Sequence, residues 1–138
     1  MSLVKIDTTP LSQVIKKKSI DVKPVGTVTD LALDIQIEIL EDFPQEEDTL
    51  LDFRKRDRKT VRDVKDFIKK VLKLTSKEMT AINDTIESSI VMQFGDYVSL
   101  MLQGSNFENF EDYMHQGEEK EAEDAQSDPK LSDSKDTD

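Results

Sequence analysis

The chain has no cysteine and no tryptophan, a single histidine, and only four glycines and four prolines among 138 residues. Without cysteine there is no disulfide framework, no thiolate zinc site and no cysteine nucleophile, a pattern that suits an intracellular protein. His115 is the one histidine, so a nucleophilic triad has no choice of base and a histidine-rich metal site has no ligands. Glu111 and His115 stand four apart, the spacing of two ligands on one helix face, but no third ligand accompanies them and they read as a surface pair. Neither the phosphate-cradling P-loop pattern nor G-x-G-x-x-G occurs, and the carboxylates fall in runs, not in the spaced pair that acid–base work requires. No catalytic residue, metal or cofactor is expected. No stretch approaches the roughly 18 uninterrupted apolar residues of a membrane span, and the start Met-Ser-Leu-Val-Lys-Ile-Asp lacks the apolar core of a signal peptide. These absences point to a soluble, cytoplasmic binding protein.

Charge is abundant and segregated. Thirty acidic residues against nineteen basic ones give a formal net charge of -11. Residues 118–138 hold nine acidic side chains, three lysines and Leu131 as the one large apolar residue, too little to offset ordering entropy, so they are expected to form a disordered acidic tail. Glu41 to Asp52 contains six acidic residues and no basic one; Arg54 to Lys73 contains ten basic residues against three aspartates. Such alternation either lines solvated helix faces or pairs copies of the chain. Arg54, Arg56 and Arg58, with Glu46, Glu47 and Asp48, are the candidate charged rim or self-association residues.

Hydrophobic periodicity predicts an all-α fold, a compact bundle of about five to six helices spanning 26–117, preceded by an N-terminal arm at 1–25 with a short helix at 11–18. Val61, Val64, Phe67, Ile68, Val71 and Leu72 recur at helical steps after Thr60, which is expected to cap that helix. A further short helix is expected around 47–56. Thr75-Ser76-Lys77-Glu78 is a capping box opening a long helical run that Gly95 is placed to kink and Gly104 to stop. Ser105-Asn106-Phe107-Glu108 reads as another capping box, opening a last helix that carries Phe107, Phe110 and Met114 inward and ends at Gly117. The run Leu31, Leu33, Ile35, Ile37, Ile39 alternates with period two, a strand signature. A helix from about 28 to 42, capped by Thr27 or Thr29, is nevertheless preferred, because only short stretches near Val4–Ile6 and Ile20–Val22 could pair with a strand there.

The basic segment 54–73 raises an alternative function, a small cytoplasmic nucleic-acid-binding or regulatory protein. Helix-turn-helix use of Leu74 to Glu78 is disfavoured: after Lys77 the second helix brings Glu78, Asp84 and Glu87 where phosphate contacts would need basic side chains. Aromatic and methionine side chains concentrate between Phe94 and Tyr113, and such residues suit adaptable apolar recognition. Phe94, Tyr97, Met101, Phe107 and Tyr113 are the candidate partner surface; the competing reading makes them core.

With Val64-x-x-Phe67-Ile68-x-x-Val71-Leu72-x-Leu74-Thr75-x-x-Glu78 in its middle and Tyr97-Val98-x-x-Met101-Leu102-Gln103-Gly104 before the last helix, the chain resembles the tail assembly chaperones of long-tailed, siphovirus-type bacteriophages of Gram-positive hosts. The likeness covers about residues 28–117. It implies a non-enzymatic helical protein that binds and solubilises the tape measure protein until tail tube subunits polymerise around it. It also implies self-association into a ring or spiral, work in the cytoplasm of the infected host, and absence from the mature virion.

Overall fold

A computed structural model of the protein describes residues 2–116. They fall into two units, residues 2–106 and the segment that begins at Phe107. The expected acidic tail and the helix end at Gly117 lie outside the described residues.

The first unit places two short strands, β1 (Val4–Asp7) and β2 (Ser19–Val22), before four helices, α1 (Gly26–Glu41), α2 (Leu50–Leu72), α3 (Ser76–Thr85) and α4 (Ser88–Leu102). The helical class expected from the sequence stands, with a small hairpin added. Helices α1, α2 and α4 pack on one another, and β1 and β2 lie against α4 and α2.

The hairpin is antiparallel, with Val4 opposite Val22, Lys5 opposite Asp21 and Ile6 opposite Ile20. An isolated two-stranded hairpin is marginal in water. Here Ile6 and Val22 point into the core, and the Tyr97 hydroxyl of α4 accepts a hydrogen bond from the Asp7 amide at 3.0 Å. The expected helix at 11–18 is instead one 3-10 turn, Thr9–Leu11, followed by turns. Asp7 Oδ1 accepts from the Thr9 amide, while the buried Thr8 hydroxyl donates to the Lys17 carbonyl at 2.6 Å. Leu11 and Ile15, four apart as in a helix, are both buried by this compact loop.

Helix α2 merges the two helices expected near 47–56 and after Thr60. Its N-cap is Thr49, whose hydroxyl accepts from the Asp52 amide while the Asp52 carboxylate accepts from the Thr49 amide. Thr60 sits in mid-helix, buried, and donates to the Arg56 carbonyl one turn back. A threonine can satisfy its hydroxyl this way inside a helix, so a capping residue type alone does not mark a start. The Thr75–Glu78 capping box does begin α3 as expected, with both reciprocal bonds formed. Neither Thr27 nor Thr29 caps α1; the N-cap is Val25, and Thr29 donates to the Gly26 carbonyl.

Gly95 neither kinks nor divides α4. The break falls earlier, at Ile86 and Glu87, where the backbone is extended. Gly95 instead lets α4 approach α2, since a Cβ there would collide with the side chain of Val64. Gly104 does stop α4: at φ +104° it takes a backbone that other residues avoid. The Ser105 amide returns to the Leu100 carbonyl and the Gly104 amide to that of Met101, which is the Schellman arrangement.

In the second unit the expected capping box at 105–108 is replaced by one turn further on. Asn109 Oδ1 accepts from the Asp112 amide at 2.7 Å, Asp112 accepts from the Glu108 amide at 3.0 Å, and residues 110–116 are helical. Phe107, Phe110 and Met114, expected inward, are each half-buried.

Candidate functional surface

Phe94 and Tyr97, two of the residues expected to meet a partner, are wholly buried. Their relative exposures are 0% and 1%, with ring centroids 6.0 Å apart. They are core residues because α4 is enclosed by α1, α2 and β1, and a helix so placed must be apolar on several sides. Met101 of α4 is half-buried. Phe107 and Tyr113 of the second unit are also half-buried and meet edge to face at 5.5 Å; Phe110 stacks obliquely on Tyr113 at 5.6 Å.

The structure exposes a different apolar face. Leu33, Ile37 and Leu40 of α1 are 48%, 54% and 65% exposed, and Phe43, Leu50 and Leu51 that follow are also open. Spacings of four and three put the α1 residues in one stripe along the helix. Ala32 and Ile35 on the opposite side are buried. The period-two run in the sequence therefore comes from a helix apolar on two faces, one turned to the core and one to solvent.

Charged side chains fasten α1 and the following loop to α2. Arg56 donates to Asp48 at 2.6 Å and to the Phe43 carbonyl at 3.1 Å, while the Gln45 amide also donates to Asp48. Arg56 hydrogen-bonded to it, with the Gln45 amide second, holds the Asp48 carboxyl below its usual range. Thus Arg56 and Asp48, two of the candidate charged-rim or self-association residues, pair within one chain. Arg54, Arg58, Glu46 and Glu47 remain exposed. Lys59 lies 2.7 Å from Asp63 and 3.7 Å from Glu38, and Lys70 3.1 Å from Asp66.

Beside these pairs, carboxyls of the two helices face one another: Glu38 lies against Asp63 and Asp42 against Asp57. Burial, then the neighbouring Asp57, pushes Asp42 up to about 6; burial, then Asp63, raises Glu38. Oε2 of Glu38 and Oδ1 of Asp42 are buried with no hydrogen-bond partner among the described residues. Protonation of one carboxyl of a pair would let it donate to the other, which is why burial beside a second carboxylate favours the neutral form.

A shallow groove of about 140 Å³ runs between α1 and α2, lined in part by Leu31, Ile35 and Phe67. It is smaller than the ~300–1,000 Å³ typical of small-molecule sites. Among the described residues no group of three or more histidine, cysteine or acidic side chains is arranged to hold a metal, and no helix is long and apolar enough to cross a membrane.

The described helices thus carry an open apolar stripe beside dense charge. The chain belongs to the phage tail assembly chaperone proteins, TAC, whose family model matches residues 4–124. No curated protein and no solved structure matches it.

Residue-by-residue reading of the sequence missed the stripe on α1. The signal was present: a helix whose pattern fits a strand equally well has apolar residues on a second face.

Proposed function

We propose that this chaperone binds the tape measure protein and keeps it soluble during assembly of a long, siphovirus-type tail in a Gram-positive host. It works there in the host cytoplasm, as a ring or spiral of copies, and leaves before the virion is complete, with the tail tube protein as a second contact. The observation that carries this reading is the open stripe Leu33, Ile37, Leu40 on a body rich in charge. Exposed apolar surface gives an aggregation-prone client somewhere to lie, and the charged remainder keeps the covered client in solution. Met101, Phe107 and Tyr113, each half-buried, are proposed as further client contacts.

Co-expression with the tape measure protein of the same phage tests the reading. The client is expected in the soluble fraction, bound to the chain, and in the pellet without it. A client equally soluble alone, or soluble but unbound, overturns it.

A further inference from the structure

Seven of the eight large apolar side chains that are exposed among the described residues lie between Val25 and Leu51. The stretch that contains them, residues 24–53, has nine acidic residues and no basic one. Three of those acids, Glu38, Asp42 and Asp48, are half-buried against α2. The other six are exposed: Asp30, Asp34 and Glu41 flank the apolar stripe along α1, and Glu46, Glu47 and Asp52 stand close in sequence to Phe43, Leu50 and Leu51. An apolar strip with a border of one sign selects an occupant with an apolar strip and a border of the other.

We infer that the outer face of α1, with Phe43 and the first turn of α2, is the seat of a basic amphipathic helix from another polypeptide: apolar residues at three- and four-residue steps, flanked by lysine and arginine. The inference rests on the chaperone reading and names the kind of client segment recognised.

A second copy of the chain fits this face poorly, by either route. Two α1 stripes laid together would bring two acidic borders into contact, and like charges at an interface oppose association. The basic helix α2 of a second copy supplies the right charge, but its apolar residues Val64, Phe67, Ile68 and Val71 are already buried in its own core. Its open apolar residues, Leu50 and Leu51, sit at its acidic end next to Glu46, Glu47 and Asp52, so its basic stretch has no apolar stripe to lay on Leu33, Ile37 and Leu40. A helical client segment meets both demands, in the manner of helix-in-groove recognition read through anchors at i, i+4 and i+7.

Fluorescence anisotropy with the full chain and two labelled synthetic peptides tests the inference. Both peptides carry leucines at helical three- and four-residue steps; lysines flank them in one and glutamates in the other. The lysine peptide is expected to bind at least about tenfold more tightly, and the gap to shrink as salt shortens the reach of charge. Ile37→Gln with Leu40→Gln should weaken the lysine peptide about tenfold or more, leaving the acidic border intact. Asp34→Lys with Glu41→Lys should reverse the preference between peptides, a result that loss of folding cannot imitate. Equal binding of the two peptides, binding of neither, or lysine-peptide binding that survives the glutamine pair overturns the inference. So does a glutamine pair that turns an oligomer into monomers in light scattering, since a second copy would then be the occupant. The tape measure protein separates this from the parent reading. A glutamine-pair chain that still holds it sinks this face and spares the chaperone assignment, whereas a parent chain that holds the lysine peptide but no tape measure protein does the reverse.

Discussion

Helices α1 and α2 serve the same core and use their apolar side chains in opposite ways. In α2, past its first turn, one stripe, Val64, Phe67, Ile68, Val71 and Leu72, is buried, and the exposed positions from Arg54 onward are charged. In α1 only Ala32 and Ile35 are buried, while Leu33, Ile37 and Leu40 stand open among acids. Burying a large aliphatic side chain is worth about 1.5–3 kcal/mol, so α2 beyond its first turn contributes nearly all it has to folding and α1 holds part in reserve. The contrast separates residues that make the fold from residues left for a partner.

The sharpest break of that contrast is in the helix both α1 and α2 enclose. Phe94→Ala should cost about 3–5 kcal/mol, since Phe94 is fully buried and a cavity would remain. Urea denaturation reads it directly. A loss below about 1 kcal/mol would return Phe94 to the surface and restore it as a partner contact.

Gly95→Ala comes next. Alanine favours a helix by about 1 kcal/mol over glycine, but its Cβ meets Val64 and should cost about 1–3 kcal/mol net. Val64→Ala in the same chain should recover part of that loss, because the two residues then no longer compete for space. A Gly95→Ala chain more stable than its parent would show that α4 does not sit so close to α2.

These two positions also show what a sequence can yield. The helical stripe of α2, the Thr75–Glu78 capping box and the Gly104 stop were legible, because each is a local pattern that acts where it stands. The β-hairpin was not: four-residue strands carry too little alternation, and Leu11 with Ile15 imitates a helix. Thr60 misled because a threonine hydroxyl bonds equally well to the turn behind it. Phe94 and Tyr97 misled because aromatic density is the same in a core and at an interface; only the neighbours decide. The open face of α1 was visible only as an ambiguity between period two and period 3.6.

The seam between the two helices provides a pH test. Asp42 titrates near 6 in the fold against an ordinary 3.8, so its protonated form is the one the fold favours. Its contribution is present below the unfolded value and is lost as pH rises through about 6. Facing it are Asp57 and Arg56 of α2 and Glu38 one turn back. Asp42→Asn keeps the neutral shape at every pH. Its melting temperature should exceed the parent's by a few degrees at about pH 8, on the order of 1 kcal/mol after solvent screening, and match it near about pH 4. Asp48, held low by Arg56, loses its contribution as pH falls, but it does so in both chains and cancels. An offset equal at both pH values would show that Asp42 and Asp57 do not face each other as charges.

The smallest expected effect is the most informative about α1. Leu33→Gln, Ile37→Gln and Leu40→Gln each replace an apolar side chain that is about half or more exposed. Such a side chain has little water-free surface to lose, and surface changes of this kind usually stay within about 0.5 kcal/mol. The same three exchanges should reduce aggregation at high protein concentration, because they interrupt the open apolar stripe. Denaturant midpoints and light scattering on the isolated chain measure both. A midpoint shift worth more than about 1 kcal/mol would mean that the stripe is already covered within the isolated chain, and α1 would then be an ordinary core helix like α2. An unchanged midpoint with reduced scattering would mean that α1 keeps a face the fold itself does not use.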